Sequence, residues 1–144
     1  MKVCVVGLGY WGPNLVRNFL AQDTVSQVIC VDQDPAKLKR AGQLFPAAIL
    51  TDNYESVLED KSVQAVAIAT PVGSHFELAW KALDQGKHVL VEKPMTRTSE
   101  QAEKLVHKAR ELNLTLMVDH TFLYTSAVEK MAEVIQEGSV GDIL

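Results

Sequence analysis

The chain contains only two cysteines, and neither stands at the spacing of a redox or zinc motif. Cys4 and Cys30 each fall inside an apolar segment, so we interpret them as small core residues of a protein from a reducing compartment. The His, Cys and carboxylate residues are not arranged at metal-ligand spacing, and no serine lies in a nucleophile-elbow context. The sequence therefore predicts no metal, no disulfide framework and no serine nucleophile.

Long apolar runs and an excess of positive charge are also missing. No stretch approaches the roughly 18 apolar residues of a membrane span, and no signal-peptide pattern is present, so we expect a cytoplasmic protein. The 14 Lys and Arg residues are scattered and are outnumbered by 18 Asp and Glu, which gives a formal charge of −4. This balance argues against nucleic acid or an anionic membrane as a partner. With 144 residues, the chain is of single-domain size.

The chain opens with an apolar segment, a glycine turn and the start of a helix. Gly7, Gly9 and Gly12 stand at the G-x-G-x-x-G spacing of a dinucleotide-binding loop. There the first glycine permits the turn, the second lets the backbone approach a pyrophosphate, and the third lets the helix pack against the strand. The motif alone is weak evidence, but the next apolar segment ends at Asp32, twenty positions after Gly12. A carboxylate at that distance accepts hydrogen bonds from the adenosine ribose.

Apolar segments and amphipathic helices alternate along the whole chain. The apolar segments predict strands at residues 3–6, 28–31, 47–50, 63–69, 89–91 and 114–118. Three later helices begin at Ser74, Thr98 and Ser126, each followed three residues on by Glu or Gln. This spacing predicts capping boxes, and the apolar face behind each predicts packing against a sheet. The alternation predicts an α/β fold: a Rossmann-type, doubly wound, mostly parallel six-stranded sheet with helices on both faces.

In such a sheet, ligands bind beyond the carboxyl ends of the strands. The residues at those ends include Thr70-Pro71, Glu92-Lys93-Pro94 and Asp119-His120. Lys93 precedes a proline and is therefore held extended at the strand mouth. There its amine can exchange a proton with a substrate hydroxyl or hydrogen-bond to it. The alternative is a solvated lysine at a strand end.

Two histidines lie near these strand ends. His75 falls in the first turn of a helix just after Thr70-Pro71, where we expect it to line a cofactor cleft. His120 follows the sixth strand, and the sequence leaves two interpretations open. It either contacts the nicotinamide or the substrate, or it makes a structural hydrogen bond.

At these residues the sequence resembles the glucose-fructose oxidoreductase / inositol dehydrogenase / rhizopine-catabolism (Gfo/Idh/MocA) family of NAD(P)-dependent oxidoreductases. The resemblance covers the family's whole N-terminal cofactor domain. It rests on Gly7-Leu8-Gly9-Tyr10-Trp11-Gly12, Ala69-Thr70-Pro71 with His75, Glu92-Lys93-Pro94 and residues 138–144. The Tyr-Trp-Gly turn, with residues 119–124, is most similar to nucleotide-sugar 3-dehydrogenases. The resemblance implies transfer of a hydride between NAD(P) and a sugar or nucleotide-sugar carbon.

The resemblance also implies roles for individual residues. The pyrophosphate is bound by Gly7, Gly9, Tyr10, Trp11 and Gly12 and the ribose by Asp32, while Thr70, Pro71, His75 and Glu92 line the cofactor. Lys93 and His120, at the strand ends, are counted as candidate cofactor-binding residues as well. Lys93 sits beside the reacting carbon and is the expected catalytic residue. The expected cofactor is NAD, because the Asp32 carboxylate would repel a 2′-phosphate and no arginine follows it directly. Lys37, in the next helix, keeps NADP possible.

Family members carry a C-terminal α/β domain that supplies a histidine acid/base and mediates oligomerisation. We therefore expect residues 1–122 to form an NAD(P)-binding Rossmann domain. Residues 123–144 would form a linking helix and the start of a truncated substrate domain. The 144-residue chain would then bind the cofactor without catalysis, and the full-length protein would be a homo-oligomer acting on a sugar. The alternative is a non-catalytic dinucleotide-sensing or protein-interaction domain, because a fold does not fix a function.

Overall fold

The computed structural model describes residues 1–142, which build one six-stranded sheet with flanking helices. The strands are β1 (Lys2–Val6), β2 (Gln27–Val31), β3 (Ile49–Thr51), β4 (Val63–Ile68), β5 (His88–Glu92) and β6 (Leu116–Asp119). The helices are α1 (Gly12–Leu20), α2 (Pro35–Leu44), α3 (Tyr54–Glu59), α4 (His75–Asp84), α5 (Ser99–Glu111) and α6 (Ser126–Gln136). All five strand pairs are parallel, in the order β3-β2-β1-β4-β5-β6. The predicted Rossmann-type fold is confirmed.

Helices cover both faces of this sheet, because alternate side chains of each strand point to opposite sides. Val5 and its neighbours on one face pack against the apolar sides of α1 and α2. Val6 and its neighbours on the other face pack against α3, α4 and α5. The β1 strand is buried almost throughout, as its uniformly apolar sequence predicts for a central parallel strand.

The two cysteines are buried and unpaired, as predicted. Cys4 belongs to the α3–α5 side of the sheet and Cys30 to the α1–α2 side, so the sheet separates the two thiols. Burial raises the pKa of the Cys30 thiol to about 11. Burial, reinforced by Cys30, raises the pKa of Cys4 well above its ordinary value. Both residues are therefore protonated core thiols.

The prediction that the three later helices pack on the sheet is confirmed for α4 and α5 and wrong for α6. The α4 and α5 helices bury apolar side chains, including Leu83 and Leu105. No residue of α6 is buried, and Met131 and Ile135 are 57% and 48% exposed. The amphipathic pattern is present in α6, but no strand or helix of residues 1–142 covers its apolar face.

Half of a capping box, the N-cap side-chain bond, forms at only one of the three predicted helix starts. The Thr98 hydroxyl accepts the expected backbone N–H of α5. The Ser74 hydroxyl donates instead to Thr70 Oγ1 at 2.7 Å, and α4 begins without a side-chain cap. Ser126 lies inside α6, whose N-cap is Thr125. The prediction was therefore wrong at Ser74 and Ser126, because nearby turns compete for serine and threonine hydroxyls.

Two strands begin later than predicted because turn hydrogen bonds occupy their first residues. The Ala48 N–H still bonds within the preceding turn, so β3 begins at Ile49. The Leu114 N–H closes the end of α5, so β6 begins at Leu116. Residues 143 and 144 of the apolar run expected at the C-terminus lie outside the described residues. None of the helices within residues 1–142 has the length and apolar character needed to cross a bilayer.

Candidate functional site

A groove of about 750 Å³ opens between the carboxyl ends of β1 and β4, where the strand order reverses. Ligands bind at this switch point in open parallel sheets, and the volume is typical of a small-molecule site. Its walls include Gly7, Gly9, Tyr10, Trp11, Asp32, Lys37, Thr70, Pro71, Glu92 and Lys93. The fold therefore brings most of the predicted site residues to one place.

Glycine occupies the three motif positions for different physical reasons. Gly7 has a φ of +91°, and a Cβ on it would lie 2.8 Å from the Ala69 backbone. A Cβ on Gly12 would lie 1.9 Å from the Gly7 carbonyl oxygen. A Cβ on Gly9 would meet no described atom within 4 Å. The fold thus requires glycine at the first and third positions, whereas the second keeps open a space beside the groove.

The loop between β1 and α1 presents unused hydrogen-bond donors. Within residues 1–142, the backbone N–H groups of Gly9, Tyr10 and Trp11 donate to no protein atom. Trp11 is the N-cap of α1, and no side chain caps this helix. The N-terminus of a helix with free N–H groups favours an anion. The residues present therefore fit a pyrophosphate at this loop.

Asp32, at the end of β2, anchors the same loop from one side. Its Oδ2 accepts the Leu8 N–H at 2.7 Å, and its Oδ1 accepts the Asp34 N–H at 2.9 Å. The Lys37 amine lies 3.7 Å from Oδ2, and the Asp32 side chain is only 9% exposed. Each carboxylate oxygen has a further lone pair. Asp32 can therefore hold the loop and still accept a ligand hydroxyl.

The other end of the groove contains an under-satisfied acid. Glu92 ends β5, and its Oε1 is buried without a hydrogen-bond partner in the described part of the chain. Burial, together with the neighbouring Asp119 carboxylate, raises the pKa of Glu92 to about 7. The N–H and the charge of Lys93 act in the opposite direction. Lys93 itself is exposed and extends the groove wall beyond β5.

Asp119 is a site residue to which the sequence assigned no role. It ends β6 as the register partner of Glu92. Its Oδ2 accepts the indole N–H of Trp11 at 3.2 Å, across 108 positions of sequence. Alignment of the two predicted strand ends, each closing on an acid, is the signal that indicates the pair. The bond to Trp11 is a tertiary contact that no local pattern announces.

The two histidines do not form part of the groove wall. His75 is 1% exposed, and its ring nitrogens lie 2.7 Å from the Thr70 carbonyl and 3.0 Å from the Pro94 carbonyl. The structure thus places His75 behind the wall, where it joins two loops, rather than on the cleft surface. His120 is exposed beyond β6. Among residues 1–142, no three His, Cys, Asp or Glu side chains form a metal-binding group.

Comparison with known families agrees with this geometry. The family model described as "Oxidoreductase family, NAD-binding Rossmann fold", which represents Gfo/Idh/MocA proteins, matches residues 1–120. The chain belongs to this family. Both the predicted resemblance and the predicted NAD-type cofactor are confirmed.

Relatives and solved structures extend the comparison. The chain is 34% identical over 119 residues to the dTDP-3,4-didehydro-2,6-dideoxy-alpha-D-glucose 3-reductase of Saccharopolyspora spinosa. The aligned region covers 82% of this chain and 36% of that protein. A 3-ketoreductase from Actinomadura kijaniata, solved with NADP and TDP-benzene, has a TM-score of 0.86 at 30% identity, covering 96% of this chain and 42% of that one. A protein of gentamicin A biosynthesis, solved with NAD, has a TM-score of 0.90 at 27% identity, covering 96% and 40%. The chain spans 36% to 38% of the length of the curated relatives it matches first.

Proposed function

We propose that this chain is the cofactor domain of an NAD(P)-dependent oxidoreductase that transfers a hydride to or from a sugar or nucleotide-sugar carbon. The observation that supports the proposal most strongly is a single groove with two chemically different ends. One end has the free N–H groups of Gly9, Tyr10 and Trp11, which suit a pyrophosphate. The other end has the Lys93 amine, which suits an oxygen of a substrate.

The relatives indicate the substrate class. Their names include reductases of dTDP-linked deoxysugars, a levoglucosan dehydrogenase and a scyllo-inositol dehydrogenase. Each of these compounds contains a six-membered ring that bears hydroxyl or carbonyl groups. We therefore assign a ring hydroxyl or carbonyl as the reacting group of the full-length protein.

In the proposed complex, each predicted residue has a defined task. The pyrophosphate is held by the backbone of Gly7, Gly9, Tyr10, Trp11 and Gly12. Asp32 accepts the ribose hydroxyls, and the cofactor is lined by Thr70, Pro71 and Glu92. His75 supports these lining residues from behind, and His120 approaches the nicotinamide or the substrate. The bound nicotinamide supplies or accepts the hydride. The Lys93 amine hydrogen-bonds to the reacting oxygen and exchanges its proton.

We propose NAD rather than NADP as the preferred cofactor. Asp32 is held in place by two backbone N–H groups, so a 2′-phosphate would meet a carboxylate that cannot readily move away. Lys37 lies 3.7 Å from that carboxylate and partly neutralises it. The expected discrimination is therefore moderate, and Lys37 sets its size.

The domain limits are also proposals. We assign residues 1–122 to the cofactor domain and residues 123–144 to a linking helix that leads into a substrate domain of the full-length protein. The support is the uncovered apolar face of α6 and the greater length of the relatives. We further propose a homo-oligomeric full-length protein of the cytoplasm, without nucleic-acid or membrane partners. Two buried free thiols and a net charge of −4 support this setting.

Calorimetric titration of the 144-residue chain with NAD, and separately with NADP, tests the cofactor proposal. At one fixed salt concentration, we expect an NAD dissociation constant in the micromolar to sub-millimolar range and weaker binding of NADP. Absence of binding by both would overturn the proposal and favour a domain that uses this fold without a dinucleotide. Tighter binding of NADP would overturn the preference alone.

Replacement of Lys93 in the full-length protein tests the chemistry. Lys93→Ala should reduce kcat for the sugar at least a hundredfold while NAD affinity stays within about twofold, because proton exchange contributes 10²–10⁴. Lys61→Ala, at an exposed position outside the groove, is the matched control. Unchanged turnover in the Lys93 variant would remove this residue from the mechanism.

A further inference from the structure

The ends of β5 and β6 place two carboxylates side by side at one end of the groove. Glu92 and Asp119 are register partners in a parallel pair, so their side chains leave the sheet on the same side. The backbones of neighbouring strands lie about 4.8 Å apart, and two ionised carboxylates that leave such a pair on the same side repel each other. The arrangement therefore favours a state in which the pair holds one proton.

The hydrogen-bond inventory points to the same state. Glu92 Oε1 is buried without a partner among residues 1–142, which is costly for an ionised oxygen. A protonated Glu92 has an O–H to donate, and the Asp119 carboxylate accepts it. Protonation of Glu92 thus removes the charge from the buried acid and, with it, the repulsion between the two side chains. The raised pKa of Glu92, near 7, agrees with this arrangement.

Asp119 also reaches the glycine loop. Its Oδ2 accepts the Trp11 indole N–H at 3.2 Å. Trp11 is the N-cap of α1, and its backbone N–H is one of the free donors of the loop. A hydrogen bond at the indole therefore restrains the orientation of the donors that face the groove.

We propose that Asp119 is a positioning residue: a proton shared with Glu92 keeps its carboxylate against Trp11, and protonation of the pair thereby sets the glycine loop for the dinucleotide. Loss of the proton leaves two adjacent charges. Asp119, at the end of the outermost strand of the described sheet, then turns toward solvent and releases Trp11. The part of this inference that concerns the dinucleotide rests on the proposed function. The shared proton and the bond to Trp11 belong to the ligand-free chain.

Four other titratable groups lie on the segments around the Glu92–Asp119 pair. Lys93 acts directly on Glu92 through its N–H and its charge, and both favour the ionised acid. His120 follows Asp119 in the chain and is exposed. The exposed Tyr10 ring stacks on the Trp11 ring, with the ring centroids 6.4 Å apart. The His75 ring is held between the carbonyls of Thr70 and Pro94.

The indole N–H resonances of Trp11 and Trp80 in ¹⁵N-labelled chain test the ligand-free part. Between pH 5.5 and 8.5, we expect the Trp11 signal to shift in one step with a midpoint near neutrality. Trp80 lies on α4, and the amine of Lys108 lies over its ring. The indole N–H signal of Trp80 should stay constant. Glu92→Gln and Asp119→Asn, both isosteric, should each abolish the step. A flat Trp11 signal, or an unchanged step in Glu92→Gln, would overturn the proposal.

NAD titrations at the same pH values test the coupling. The affinity of the unmodified chain should fall about threefold to tenfold across the step, which corresponds to the loss of one hydrogen bond. Glu92→Gln should bind with a pH-independent affinity, while the distant Asp23→Asn should keep the fall. If no NAD binds but the Trp11 signal titrates, the proposed function fails and the carboxyl pair stands. If NAD binds with an affinity that is constant with pH, the coupling fails and the proposed function stands.

Discussion

Each end of the groove has an acidic side chain that holds the glycine loop, and the two ends differ in how those acids are satisfied. At the β2 end, Asp32 has a backbone N–H for each oxygen and an amine nearby. At the β5 and β6 end, Glu92 and Asp119 share too few donors, and one buried oxygen has no partner among residues 1–142. The first end is held by fixed donors, whereas the second needs a proton. One loop is thus anchored in two ways with different dependence on pH.

The largest effect on the free energy of unfolding is expected from a substitution in the glycine loop, which the acids at both ends of the groove hold in place. Gly12→Ala should lower the free energy of unfolding by about 3 kcal/mol or more, because the new Cβ would lie 1.9 Å from the Gly7 oxygen. Urea denaturation measures this change.

Gly9→Ala is the matched control for the loop, because its Cβ meets no described atom within 4 Å. Stability should change by less than about 0.5 kcal/mol, whereas NAD affinity should fall at least tenfold. Equal destabilisation by both substitutions would show that Gly9 is also required by the fold.

Removal of one acceptor at the β2 end should have the next largest effect. Asp32→Asn turns an amide NH₂ toward a backbone N–H of Leu8 or Asp34, which should cost about 2 kcal/mol of unfolding free energy. Thermal unfolding at constant pH measures the loss. Asp52→Asn makes the same chemical change at an exposed position of the groove and should stay within about 0.5 kcal/mol. A loss no larger than that of the control would contradict the anchoring role of Asp32.

At the β5 and β6 end of the groove, the contribution of Glu92 to the free energy of unfolding should depend on pH. The pKa of Glu92 is raised to about 7 from an ordinary value of 4.5 in the unfolded chain. The stabilising effect of the retained proton is therefore fully present below about pH 4.5 and is lost as the pH rises toward 7.

Glu92→Gln removes this dependence and should exceed the unmodified chain in stability by about 1 kcal/mol at pH 8. Denaturant midpoints at pH 5, 6.5 and 8 measure the difference. The exposed Glu59→Gln should track the unmodified chain at every pH. A constant offset for Glu92→Gln would exclude a titrating pair.

The smallest effect should come from the amine beside Asp32. Lys37 is 45% exposed at 3.7 Å from the carboxylate, so Lys37→Gln should change stability by less than about 0.5 kcal/mol. The ratio of NADP to NAD affinity should nevertheless fall about threefold, because a cation near the 2′ position is lost. Paired calorimetric titrations measure this ratio, with Lys39→Gln as the control. An unchanged ratio would leave Asp32 as the main determinant.

The sequence was sufficient for those parts of the fold and site that local patterns determine. The glycine spacing, the acid after the second strand and the lysine before Pro94 predicted the groove because each follows a strand end. The Glu92–Asp119 pair depends on the register between β5 and β6, and the Trp11 bond depends on how α1 begins above the sheet. These relations are tertiary, and no local pattern encodes them.

The buried position of His75 is tertiary as well, because two loop carbonyls hold its ring in the interior and its place in a first helical turn does not reveal them. The errors have the same origin. The periodicity of α6 was identified correctly, yet periodicity does not reveal whether a surface exists to cover the apolar face. Ser74 and Ser126 matched a capping pattern that neighbouring turns override.

The sheet that separates Cys4 from Cys30 gives the protein a built-in reporter. Both thiols are buried and protonated, so alkylating reagents should modify them only after the strands open. Because Cys4 lies under α3 to α5 and Cys30 under α1 and α2, their labelling rates report separately on the opening of each helical layer. Mass spectrometry of the unmodified sequence can thus measure how a nucleotide protects each layer, without any introduced label.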